Sequence, residues 1–128
     1  MTGHLNAYDP ETPSSGVQWL ELDESERIEL VAAYHRRKKI RLPNAQLHAV
    51  IHVVVENQLA LGEEVVVGTL ARLQAEGLSR HEALHAIGSV LAEDLYELMR
   101  EPAAGPNQAY ARYLDRLGAL TVERWRAG

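Results

Sequence analysis

Helix-breaking residues divide this chain into segments, and that punctuation constrains its fold more than any other feature. Pro43-Asn44, Gly62, Gly77 and the run from Pro102 to Pro106 leave stretches of helical length between them. Asp23 followed by Glu26, and Ser79 followed by Glu82, have the spacing of a capping box. In that arrangement a short polar side chain and a carboxylate satisfy each other's backbone N–H groups at a helix start. From Glu24 to about Lys39 the apolar residues Ile28, Val31 and Ala32 recur at helical spacing. That segment ends in His35-Arg36-Arg37-Lys38-Lys39, where positive charge suits the carbonyl end of a helix. Further helices are expected from Asn44 to Leu61, from Glu64 to Glu76, from Ser79 to about Arg100 and from about Asn107 to Trp125.

The valine runs Val53 to Val55 and Val65 to Val67 favour strand by propensity. They do not alternate strictly with polar residues, however, and their flanks follow a 3.6-residue period, so helix is the expected state. Short connections favour antiparallel neighbours. The expected fold is therefore all-α, an antiparallel bundle of about five helices in a single domain. Residues 1–18 show no period and hold Gly, Pro, Ser and Thr close together. They read as a flexible arm pinned at its end by Trp19 and Leu20, with 19–128 as the bundle domain.

A chain of 128 residues is long enough to bury one core. It contains no cysteine, which excludes disulfides and thiolate chemistry and leaves any metal to nitrogen and oxygen ligands. It contains no phenylalanine, so the core must come from Leu, Val, Ile and Ala, with Tyr and Trp at its edges. No apolar run approaches the roughly 18–20 residues of a membrane span, and no signal-peptide pattern opens the chain. The expectation is a cytoplasmic protein without a membrane partner. Net charge is −5, and five of the 13 basic residues fall between Arg36 and Arg41. The remaining 8 face 18 acidic residues, a balance that argues against a nucleic-acid partner. The basic run itself reads as a solvated helix end. Trp19 and Trp125 would lock the termini onto the bundle or mark a homodimer surface.

Four of the six histidines form two pairs with identical spacing, His48/His52 and His81/His85. On a helix, residues i and i+4 lie one turn apart on one face. Two imidazoles so placed can converge on one ion at the about 2.0–2.1 Å of a zinc–nitrogen bond. Glu56 extends the first pair by another turn, as a fifth ligand or as a group that orients an imidazole. On the fourth expected helix Leu84, Ile87, Leu91, Leu95 and Leu98 define a core stripe, with His81 and His85 beside it and Glu82 further toward solvent. The alternative for each pair is a hydrogen-bonded polar network within the core.

His81-Glu82-Ala83-Leu84-His85 is also a literal H-E-x-x-H and resembles the zincin metallopeptidases over these five residues. In that family the two histidines bind zinc and the glutamate activates water. The likeness extends to Gly88 and then ends, because Leu91 stands where the longer motif has its third histidine. Glu82 is moreover the expected partner of Ser79 in a capping box. Glu82-x-x-His85 also matches the ferritin-like di-iron motif, though only one clear copy is present.

The stretch Asn44-x-x-Leu47-His48-x-x-x-His52-x-x-x-Glu56-Asn57-Gln58, followed by His81-Glu82-Ala83-x-His85, resembles a family of short bacterial helical proteins with paired H-x-x-x-H motifs. The resemblance covers roughly residues 44–100, with Ala45 in place of the family's usual proline. It implies a helical fold and paired histidines acting as a unit, and it supplies no reaction. The sequence reading is a metal-binding helical protein with His48, His52, His81 and His85 in a shared site. Zinc is the first expected metal, ahead of iron, nickel or copper. The alternatives are a metal-dependent hydrolase using Glu82 and a metal-free interaction module.

Overall fold

The computed structural model describes residues 5, 7–12, 15–38 and 44–127. They are all-α, with no strand among the described residues, and the chain forms two compact units, Met1–Glu63 and Glu64–Gly128. No helix among the described residues is long and apolar enough to cross a membrane.

The first unit contains α1 (Gly16–Glu21), α2 (Glu24–Arg37) and α3 (Ala45–Ala60), with α1 and α2 both packed on α3. Asp23 opens α2 with the expected reciprocal capping box to Glu26. Asn44 caps α3, its side chain accepting from the Leu47 N–H at 3.0 Å. Gly62, with φ at +74°, then takes the left-handed turn that ends the helix at little steric cost. Tyr8, Trp19, Leu22, Val31, Tyr34, Ala49 and Val53 form the core. Asn57 on α3 ties the three helices together, accepting from Trp19 Nε1 at 2.9 Å and from Arg27 at 3.2 Å. Arg27 also donates to the carbonyls of Trp19, Leu20 and Leu22, satisfying the C-terminal end of α1. The close approach of α1 to α3 favours glycine, because a Cβ at Gly16 would make a tight contact, 3.2 Å from the Ala60 carbonyl oxygen. Within 1–18, Tyr8 and Pro10 are buried. Residues 39–43, which include the end of the basic run, lie outside the described residues.

The second unit contains α4 (Glu64–Ala75), α5 (Arg80–Arg100), a 3₁₀ turn (Pro102–Ala104), α6 (Pro106–Ala119) and α7 (Val122–Ala127). The helices α4, α5 and α6 pack on one another. Both valine runs are helical, with Val53, Val55 and Val66 fully buried, so packing overrides their strand propensity. Two expectations are corrected here. The last helix is broken, since Leu120 is extended (φ −72°, ψ 129°) and α7 restarts after Thr121. Two α4 side chains hold that break: Arg72 donates to the carbonyls of Leu117 and Leu120, and Glu76 accepts from the Val122 N–H at 3.0 Å. The α5 stripe also ends early. Leu84, Ile87 and Leu91 are buried, but Leu95 is 40% exposed, and the buried position beside it belongs to Asp94.

Candidate metal centre

In the first unit the histidine pair of α3 acquires a third member. His48 and His52 are joined by His35 from α2, and one ring nitrogen from each lies within 4.8 Å of the others. The ring centroids stand 4.7 Å apart for His35 and His48, 5.6 Å for His35 and His52, and 5.8 Å for His48 and His52, all steeply inclined. Donors around a tetrahedral zinc at about 2.0–2.1 Å lie roughly 3.3–3.4 Å apart, so small ring rotations would bring these nitrogens onto one ion. His35 and His52 are buried at 4% exposure, while His48 is half-buried.

The local sequence explains the convergence. Ile28, Val31 and Ala32 form the inward stripe of α2, and His35 continues it at the next helical position. On α3, Ala49, His52, Val53 and Glu56 occupy the buried face, so His52 and Glu56 point inward with the valine that fills the core. His35 is thus a core position filled by a polar ring.

Two of the three rings have their protons assigned by their neighbours. His35 Nδ1 lies 2.8 Å from the Val31 carbonyl oxygen. A carbonyl can only accept, so the neutral ring carries its proton on Nδ1 and its lone pair on Nε2. Tyr8 donates its hydroxyl proton to Glu56 Oε2 and lies 2.7 Å from His52 Nε2. A phenol has one proton, and this one is given to the carboxylate. The Tyr8–His52 bond must therefore run from Nε2–H to the phenol oxygen, which leaves the lone pair of the neutral His52 ring on Nδ1. Histidines that ligate metals usually donate their other N–H to a carbonyl or a carboxylate, and both patterns are represented here. Tyr8 is held edge-on to the His52 ring, and it packs against Trp19 and Tyr34. Tyr8 and Tyr34 also line a groove of about 450 Å³ with Asp9, Glu11, Arg37 and Lys38. Burial, reinforced by the carboxylates of Asp9 and Glu11, pushes the Tyr34 phenol above its ordinary value and keeps it protonated.

The second unit carries the other pair. His81 and His85 are half-buried on the first turns of α5, with ring centroids 4.2 Å apart. Glu82 is exposed and closes the capping box: its carboxylate accepts from the Ser79 N–H, and its own N–H donates to Ser79 Oγ, both at 3.1 Å. The helix continues through Gly88 to Arg100 without a turn.

The sequence-predicted His48, His52 and Glu56 thus share one centre, with Glu56 bonded to Tyr8. Sequence reasoning missed His35 and Tyr8. The signal for His35 was available, because it extends the apolar i, i+3, i+4 stripe of α2 by one more place. Comparison with protein-family models, with curated proteins and with solved structures finds no match for this chain.

Proposed function

We propose that this protein binds a transition-metal ion through His35 Nε2, His48 and His52 Nδ1, with zinc as the first metal. One observation carries this reading: one ring nitrogen from each of three histidines lies within 4.8 Å of the others in a largely buried space, while Nδ1 of His35 and Nε2 of His52 are engaged by the Val31 carbonyl and the Tyr8 hydroxyl. All-nitrogen sites suit zinc, copper, iron and nickel, whereas magnesium and calcium require oxygen. Three imidazoles leave one position of a tetrahedral ion to be filled. A further protein ligand there would close the site for a structural or sensing role, and water there would open it to chemistry.

The test is elemental mass spectrometry on untagged protein, beside His35→Ala and His48→Ala variants loaded with zinc. About one zinc per chain is expected in the wild type. It should be lost in His35→Ala and its binding weakened by at least tenfold in His48→Ala. Undiminished zinc in His35→Ala would overturn the three-histidine core. A wild type that takes up no zinc, iron, nickel or copper would leave a hydrogen-bonded polar network.

A further inference from the structure

We infer that Tyr8 is a positioning residue for the metal centre, and that ion binding is thereby coupled to the docking of residues 7–12. This inference rests on the metal-binding reading above. Glu56 Oε2, the Tyr8 hydroxyl and His52 Nε2 form a continuous relay. The carboxylate takes the phenol proton, the phenol oxygen takes the imidazole proton, and Nδ1 is left to face the ion. Partial negative charge passed along the relay also strengthens the imidazole as a donor. Glu56 therefore acts on the ion at two removes, and the intermediate comes from a distant part of the chain, 44 residues before His52.

Tyr8 has little freedom to serve in any other way. It is 2% exposed, and its ring contacts Trp19, Tyr34 and His52 from three elements. The Arg37 guanidinium reaches its backbone carbonyl at 3.4 Å. Pro10 is buried two residues on, and Asp9 accepts from the Glu11 N–H and the Thr12 hydroxyl, so the chain here folds into a short fixed turn. When this segment is docked, His52 is locked for Nδ1 ligation. When it is lifted, Glu56 and His52 lose their bridge and the ring is free to take the other tautomer. Linkage is reciprocal, so an ion that prefers the locked ring must also favour the docked segment.

The experiment uses the full chain with ¹⁵N-labelled histidine, observed by NMR without metal, together with zinc titration against a competing chelator. Tyr8→Phe keeps the ring in the core and removes only the hydroxyl. The expected result is an Nε2–H tautomer for His52 in the wild type and a mixed one in Tyr8→Phe, with zinc affinity about 10–100-fold lower. Glu56→Gln retains an acceptor oxygen and should keep the tautomer with a smaller loss, whereas Glu56→Leu should match Tyr8→Phe. Zinc should also slow amide exchange in residues 7–12 of the wild type. Wild-type affinity and an unchanged tautomer in a folded Tyr8→Phe would overturn the inference while leaving the metal centre standing. An Nε2–H tautomer in a wild type that binds no zinc would instead remove the metal centre and keep the relay as a structural device.

Discussion

Each unit buries a polar centre, and the two are built on opposite electrostatic plans. In the second unit Asp94, at 3% exposure, accepts through Oδ1 from Arg112 at 2.8 Å and from Arg116 at 3.0 Å. Glu97 meets both guanidiniums at 3.1 Å, and its hydrogen bond to Arg116, aided by Asp94, holds that guanidinium still more firmly protonated. Two carboxylates face two cations, so the charges balance within the cluster, although Asp94 Oδ2 is buried without a hydrogen-bond partner among the described residues. In the first unit three imidazoles turn toward one another, and the nearby carboxylate of Glu56 meets a phenol. One ring nitrogen from each imidazole lies within 4.8 Å of the others, an arrangement that could hold a cation. The comparison separates a polar centre whose charges are balanced by its own side chains from one that could hold an ion.

The sharpest way to break this contrast is to remove one member of each centre. Asp94→Ala leaves two guanidiniums, 30% and 35% exposed, with Glu97 alone in place of two shared carboxylates. Because solvent reaches both, the expected cost is about 2–3 kcal/mol, below that of a fully buried pair, and it should be the same with or without zinc. His48→Ala removes a half-buried ring and should cost about 1 kcal/mol without zinc, while abolishing any zinc-dependent rise in stability. Urea unfolding of both variants with and without zinc reads the difference. Equal metal-free losses in the two variants would collapse the distinction.

A smaller effect tests whether the H-E-x-x-H segment belongs to either plan. Glu82 is engaged with the Ser79 N–H, and glutamine can make the same bond. Glu82→Gln should therefore lower stability by no more than about 0.5 kcal/mol, the value of one charge at a helix N-terminus, and should leave zinc content unchanged. Loss of bound zinc in a folded Glu82→Gln protein would assign this carboxylate to the metal centre instead.

The smallest expected effect is local and depends on pH. The Val122 N–H donated to Glu76, together with Arg72 beside it, holds the Glu76 carboxyl below the ordinary carboxylate value. A depressed folded pKa contributes stability above the unfolded value, and that contribution is lost as pH falls through the folded one. Amide exchange at Val122 should therefore accelerate under acid. In Glu76→Gln, which keeps an acceptor oxygen but does not titrate there, this acceleration should disappear.

The fold was legible where local chemistry decides it. Capping boxes at Asp23 and Ser79, the Asn44 cap and the turn at Gly62 placed four helices within a residue or two of their observed ends. The break after α6 was not legible, because it depends on Arg72 and Glu76, which lie more than 40 residues away in sequence. The same division applies to the site. His48, His52 and Glu56 announce themselves by helical spacing within one element. His35 stands alone on α2 and was absorbed into the basic sequence that follows it. Tyr8 lies among Pro, Gly and Ser residues that suggest an arm, and nothing local says that its ring is buried. The structure supplies the long-range partners, and these assign the imidazole protons.

Trp19 gives the first unit an optical property of its own. Its indole is buried at 2% exposure, its N–H is fixed to Asn57, and its ring centroid stands 5.7 Å from that of Tyr8. At such a separation light absorbed by the phenol passes to the indole, so Tyr8 excitation emerges as Trp19 emission while the two tilted rings stay this close. Lifting residues 7–12 would open the circuit and return that light to the tyrosine band, making the state of the segment visible as a change of colour in the untouched protein.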